Sequence, residues 1–76
     1  MANNRDEQLL KDFGNHVRKL RTDRGWSQTD LETHSRVDRV QIERIENAKI
    51  NTSISTAKQL ATAFGMTLSE LFEFSQ

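Results

Sequence analysis

The residues best suited to recognition chemistry fall in one stretch, Ser27–Asn47, with the sequence SQTDLETHSRVDRVQIERIEN. On a helical wheel of about 100° per residue, a segment near Arg39–Glu46 turns Ile42, Ile45 and Glu46 inward and Val40, Glu43 and Arg44 outward. An apolar Val40 between Arg39 and Arg44 does little for a solvated face, but it suits contact with a thymine methyl in a DNA groove. Single exposed apolar residues are common, so this feature alone does not decide. A carboxylate at Glu46 on the inward arc is costly unless it is paired. Arg21, on the edge of an upstream apolar stripe, is its expected partner. Gln28 opens a second helix, whose free first-turn N–H groups form an anion site. Taken by itself the stretch fits both a DNA-reading helix-turn-helix and an ordinary helical hairpin in a small bundle.

The elements that position these residues follow from caps and apolar spacing. Asn4 with Glu7 makes a capping box for a first helix over about Arg5–Arg24, with residues 1–4 expected to be disordered. Leu9, Phe13, Val17 and Leu20 form its apolar stripe, and Arg18 and Lys19 face solvent. Gly25 is the expected left-handed stop, and Trp26 then plugs the core. Ser27 with Asp30 opens a short second helix, Gln28–His34, anchored by Leu31. Asp38 with Gln41 approaches a capping box for the third, Arg39–Glu46. Thr52 or Ser53 caps a fourth helix that points Ile54, Ala57, Leu60, Ala61 and Phe64 inward and ends at Gly65. Thr67 with Glu70 caps a last helix over Leu68–Phe74. Leu68, Leu71 and Phe72 share one arc of it and Phe74 lies off that arc, so a partner is expected to cover part of it.

Composition narrows the class. The chain has 76 residues, no cysteine, no proline and three glycines, which points to one small all-α domain, 1–76, with little room for a deep cleft beside its core. Without cysteine there are no disulfides, thiolate metal sites or cysteine nucleophiles. No apolar run approaches the roughly 20 residues of a membrane span. The opening MANNRDEQ lacks a secretory apolar core, so a cytoplasmic protein is expected. His16 and His34 have no nucleophile, carboxylate pair or metal-ligand spacing beside them, which argues against an enzyme. No metal, cofactor or small-molecule ligand is expected. Eleven basic and eleven acidic side chains give zero net charge, so any DNA-binding surface must come from local geometry rather than bulk charge.

A family resemblance runs over about residues 12–74. Phe13-Gly14-x-x-Val17-Arg18-x-Leu20-Arg21, Gly25-Trp26-Ser27-Gln28-x-x-Leu31, Ile42-Glu43-x-Ile45-Glu46-Asn47-x-Lys49, Leu60-Ala61-x-Ala63-Phe64-Gly65 and Leu68-x-x-Leu71-Phe72 occur in this order. Together they resemble the phage-repressor/Cro-like, or XRE-type, helix-turn-helix regulators, above all short members such as the controller proteins of restriction–modification systems. The resemblance implies a five-helix, lambda-repressor-like domain whose helices 2 and 3 form the helix-turn-helix, with the third in the DNA major groove. It assigns base reading to Arg39, Val40 and Arg44, phosphate contacts to Gln28, Asn47, Lys49 and Asn51, and the internal ion pair to Arg21 and Glu46. Dimerisation through the last two helices, with Leu68, Leu71, Phe72 and Phe74 at the interface, would place two reading helices on a two-fold site in double-stranded DNA. The same fold also serves as an antitoxin-like protein-binding module, the alternative reading.

Four positions depart from the family pattern. Glu32 replaces a small alanine, Ser35 an apolar residue, and Arg36 and Ala48 replace glycines. They put the angle between the second and third helices in question.

Overall fold

A computed structural model describes residues 6–74. Five helices follow one another: α1 (Glu7–Asp23), α2 (Gln28–Ser35), α3 (Arg39–Glu46), α4 (Ile54–Ala63) and α5 (Leu68–Leu71). There is no strand among the described residues. The Asn4 cap and the order of residues 1–4 lie outside them. Asp6 caps α1, its carboxylate accepting from the Leu9 N–H at 3.0 Å.

The buried face of α1 is Leu10, Phe13, Gly14 and Val17, with Leu9 39% exposed. Leu9, expected inside from its spacing, lies at the edge instead, and the reason is Gly14. A Cβ at Gly14 would stand 2.5 Å from the Ile45 carbonyl oxygen and 2.8 Å from that of Glu46. The C-terminal end of α3 therefore lies directly on the α1 backbone. This shifts the centre of the buried face toward the Gly14/Arg21 side and carries Leu9 to the opposite edge.

α2 begins with the Ser27–Asp30 capping box, both bonds of which are formed. Leu31 is fully buried. Ser35 sits in an apolar place and is satisfied locally: its hydroxyl donates to the Leu31 carbonyl at 2.6 Å and accepts from the Val37 N–H at 3.1 Å. Arg36 then turns left-handed at φ 63°. Asp38 occupies the cap position of α3 without a side-chain cap bond, and Gln41 reaches Thr56 Oγ1 on α4 at 3.4 Å. The expected Asp38–Gln41 capping box is thus absent. Glu32 supplies the missing acceptor, taking the Arg39 N–H on its carboxylate at 3.0 Å. The unusual Glu32 thereby ties α2 to the first turn of α3.

A non-glycine residue at φ 63° costs about 1–2 kcal/mol, and glycine gives some of that back as unfolded-state freedom. Arg36→Gly is expected to raise stability by about 1 kcal/mol. An unchanged or lower denaturant midpoint would contradict this. Ala48 takes the second left-handed position itself, at φ 58°, while Asn47 stays at φ −99°.

α4 is capped by Ser53, which accepts from the Thr56 N–H. Thr56, Ala57, Leu60 and Ala61 are buried, and Phe64 closes the face. Ile54, expected inside, is 75% exposed, because it lies at the margin of the arc that buries Thr56, Ala57, Leu60 and Ala61. α5 has its Thr67–Glu70 capping box but stops at Leu71, short of the expected Phe74. The chain after it folds back over α1, with the Phe72 and Phe74 rings 5.6 and 6.1 Å from that of Phe13. Trp26 is only half-buried, stacked on His34 with ring centres 4.1 Å apart.

Candidate nucleic-acid interface

α3 is held at both ends and along one side. Ile42 and Ile45 are buried, and Glu46 is 3% exposed. Arg39, Val40 and Arg44 are exposed and Glu43 is half-exposed. This is the inward and outward division expected from the wheel. Val40 and Arg44 thus share an exposed arc, and Arg39, in the first turn and off that arc, is exposed as well.

The inner side is fixed by one carboxylate. The Glu46 side chain has no exposed surface and accepts four hydrogen bonds. Arg21 donates from Nε to Oε2 at 2.7 Å and from Nη2 to Oε1 at 2.9 Å. Gln28 donates from Nε2 at 3.2 Å and Arg18 from Nε at 3.3 Å, both to Oε1. The ion pair expected between Arg21 and Glu46 is therefore present, in the two-pronged geometry that makes such pairs strong. Burial pushes the Glu46 carboxyl up, but the bonds from Arg21, Gln28 and Arg18, with the Arg21 charge, outweigh it and hold it below its ordinary value. The bond to Glu46 raises the Arg21 guanidinium in turn.

Three expected DNA contacts have partners within the chain here. Gln28 spends one amide proton on Glu46 and keeps one for a ligand. Asn47 does not: its Nδ2 protons go to the Glu43 carbonyl at 3.0 Å and carboxylate at 2.9 Å, and its Oδ1 accepts from Arg18 Nη2 at 3.2 Å. A phosphate contact from the Asn47 side chain would have to exchange one of these bonds. Lys49 stands 4.0 Å from the Glu43 carboxylate, an exposed and loose pair that costs little to open. Asn51 is exposed. Leu71, expected at a dimer interface, is fully buried in the core of its own chain. Leu68 is half-buried against that core. Phe72 is 48% exposed, and Phe74 is half-buried.

With the turn and α3 so arranged, the helix-turn-helix family HTH_3 matches residues 17–71. The chain belongs to that family. Control protein C.MunI of a Mycoplasma species is 38% identical over 61 residues, which cover 79% of this chain and 82% of that one. The restriction-modification controller protein C.AhdI from Aeromonas hydrophila is 37% identical, superposes with a TM-score of 0.77, and is matched over 82% of this chain and 94% of its own. The hypothetical transcription factor NHTF from Neisseria is 28% identical with a TM-score of 0.81, over 100% and 88% of the two chains. The chain is a DNA-binding transcriptional regulator of this class.

The residues missed from sequence are those that work across the chain. Arg18 is exposed as expected, yet it lies one turn beyond Gly14 and also bonds Glu46 at the end of α3. Gly14 itself carried a signal, since a glycine inside a helix costs about 1 kcal/mol and usually has a packing reason. Among the described residues, no group of three or more His, Asp or Glu side chains gathers as a metal site. No helix among them is long and apolar enough to cross a membrane.

Proposed function

We propose that two copies of this chain bind a two-fold DNA site and regulate transcription there, in a restriction–modification system like the one named for its relative C.AhdI. The observation that carries this reading is the exposure of Arg39, Val40 and Arg44 on a helix whose inner side is locked by Glu46. Arg39 and Arg44 read base edges, guanine O6 and N7 being the fitting acceptors, and Val40 lies against a thymine methyl. Gln28, Lys49 and Asn51 hold phosphates and set the register without reading sequence.

The second copy covers an apolar groove of about 210 Å³ lined by Leu9, Leu10, Phe13, Ile54, Phe72 and Phe74, among others. Leu9, Ile54 and Phe72 are large apolar side chains left 39%, 75% and 48% exposed beside one another, an arrangement that calls for a covering surface. Because Leu71 belongs to the core, Ile54 and Phe72 carry the test. Ile54→Glu is expected to give a folded monomer by sedimentation with an unfolding midpoint near that of the wild type. A dimer that persists would place the interface elsewhere.

Selection of bound duplexes from a random pool tests the whole reading. A palindromic motif with half-sites about one helical turn apart, roughly 34–36 Å, is the expected product. A pool that remains unenriched would overturn the reading and favour a protein partner on the apolar groove.

A further inference from the structure

The cluster around Glu46 does not end at the core. Two guanidinium groups, of Arg18 and Arg21, meet one carboxylate there, so Arg18 is not needed for charge balance. Its side chain is 45% exposed, and its contacts run outward. Nη2 reaches the Glu46 carbonyl at 3.5 Å and Asn47 Oδ1 at 3.2 Å. With Oδ1 held by Arg18, the amide of Asn47 must present Nδ2 to the other side. There it binds both the carbonyl and the carboxylate of Glu43. The same Glu43 oxygen is 4.0 Å from Lys49 Nζ. A line of polar contacts thus joins the core to the edge of the exposed face, through Arg18, Asn47 and Glu43.

We propose that Arg18 is a positioning residue for DNA reading: through Asn47 it keeps the Glu43 carboxylate drawn back along α3, away from the base edges beside Arg44. The inference rests on the DNA-binding reading above and goes further, naming a residue that sets specificity without being required to touch DNA. Glu43 lies next to Arg44 in the chain, and a released carboxylate at that edge would repel phosphates, pair with Arg44, or accept from a cytosine amino group. Asparagine is the fitting relay because its amide is acceptor at one end and donor at the other.

The test compares wild type, Arg18→Met, Asn47→Ala and each combined with Glu43→Gln, on duplexes selected by the wild type. Arg18→Met should bind about tenfold more weakly, within the range of coupled polar networks, and shift base preference at the position beside Arg44. The salt dependence should stay unchanged, and Glu43→Gln should restore most of the affinity. Asn47→Ala cuts the line without touching the Arg21–Glu46 pair, and should reproduce the shift in a protein of near wild-type stability. A salt slope lower by about one unit in Arg18→Met, with no rescue by Glu43→Gln, would make Arg18 a phosphate contact and overturn the proposal. So would unchanged base preference in Asn47→Ala. The Asn47 side-chain amide, followed by NMR without DNA, separates this proposal from the binding reading. Its proton shifts should move toward those of a free asparagine amide in Arg18→Met, and unmoved shifts would break the relay whatever the protein binds.

Discussion

Glu46→Ala is expected to cost about 3–5 kcal/mol, the loss typical of a broken buried ion pair, and to lower the denaturant midpoint markedly. The reason is what it orphans. Arg21, 13% exposed in its side chain, would keep its charge with Nε and Nη2 unpaired. Gln28 and Arg18 would each lose an acceptor as well. A domain of this size has only about 5–15 kcal/mol in hand. Glu46→Gln keeps the shape and one acceptor oxygen, and should fall between the two.

The same residue sets a pH dependence. Its carboxyl is held below the ordinary value of 4.5 in the folded chain, so the unfolded chain binds the proton more readily. The resulting stability is fully present above that ordinary value and is lost as pH falls through the lower, folded one. Asp30 adds to the same acid limb with the same sign, lowered by its bonds with Ser27. Denaturation followed from neutral pH downward should show a loss that Glu46→Gln reduces and Asp30 partly retains. An acid limb identical in the two proteins would contradict the assignment.

Gly14→Ala should have the second large effect, and its sign separates two physical terms. Alanine favours a helix over glycine by about 1 kcal/mol, so at an open site this change stabilises. Here the new Cβ meets two backbone oxygens of α3 at 2.5 and 2.8 Å. Neither can swing aside as a flexible side chain does, so α1 and α3 must part, and overpacking of this kind costs about 1–3 kcal/mol or more. The parting also pulls Glu46 from Arg18 and Arg21. We expect a net loss of about 2 kcal/mol, near 10 °C in melting temperature for so short a chain, together with weaker DNA binding as α3 tilts. An alanine variant as stable as the wild type would show that the helices have room to spare.

These two residues also mark how far the sequence could be read. The faces of α3 were legible because Ile42, Ile45 and Glu46 share one arc, and a carboxylate there demands a cation. The Ser27 and Thr67 capping boxes were legible because their partners lie three residues away. Contacts between distant parts of the chain were not. Leu9 and Leu10 are both leucines, and only the approach of α3 to Gly14 decides which of them is buried. Glu32 was seen as a misfit in α2, while its role at the start of α3 depends on the turn between. Leu71 and Phe72 share a sequence arc, yet α5 ends between them, which sends one into the core and leaves the other half outside. The reading face depended on local periodicity, and the groove beside it on how the chain end folds back.

The measurement closest to the central claim is the binding free energy of wild type and Arg44→Ala across all single-base changes of the selected site. If the outer face of α3 reads sequence, Arg44→Ala loses about 1–3 kcal/mol of discrimination at one base pair in each half-site and keeps it elsewhere. Equal loss at every position, or none at any, would contradict that claim.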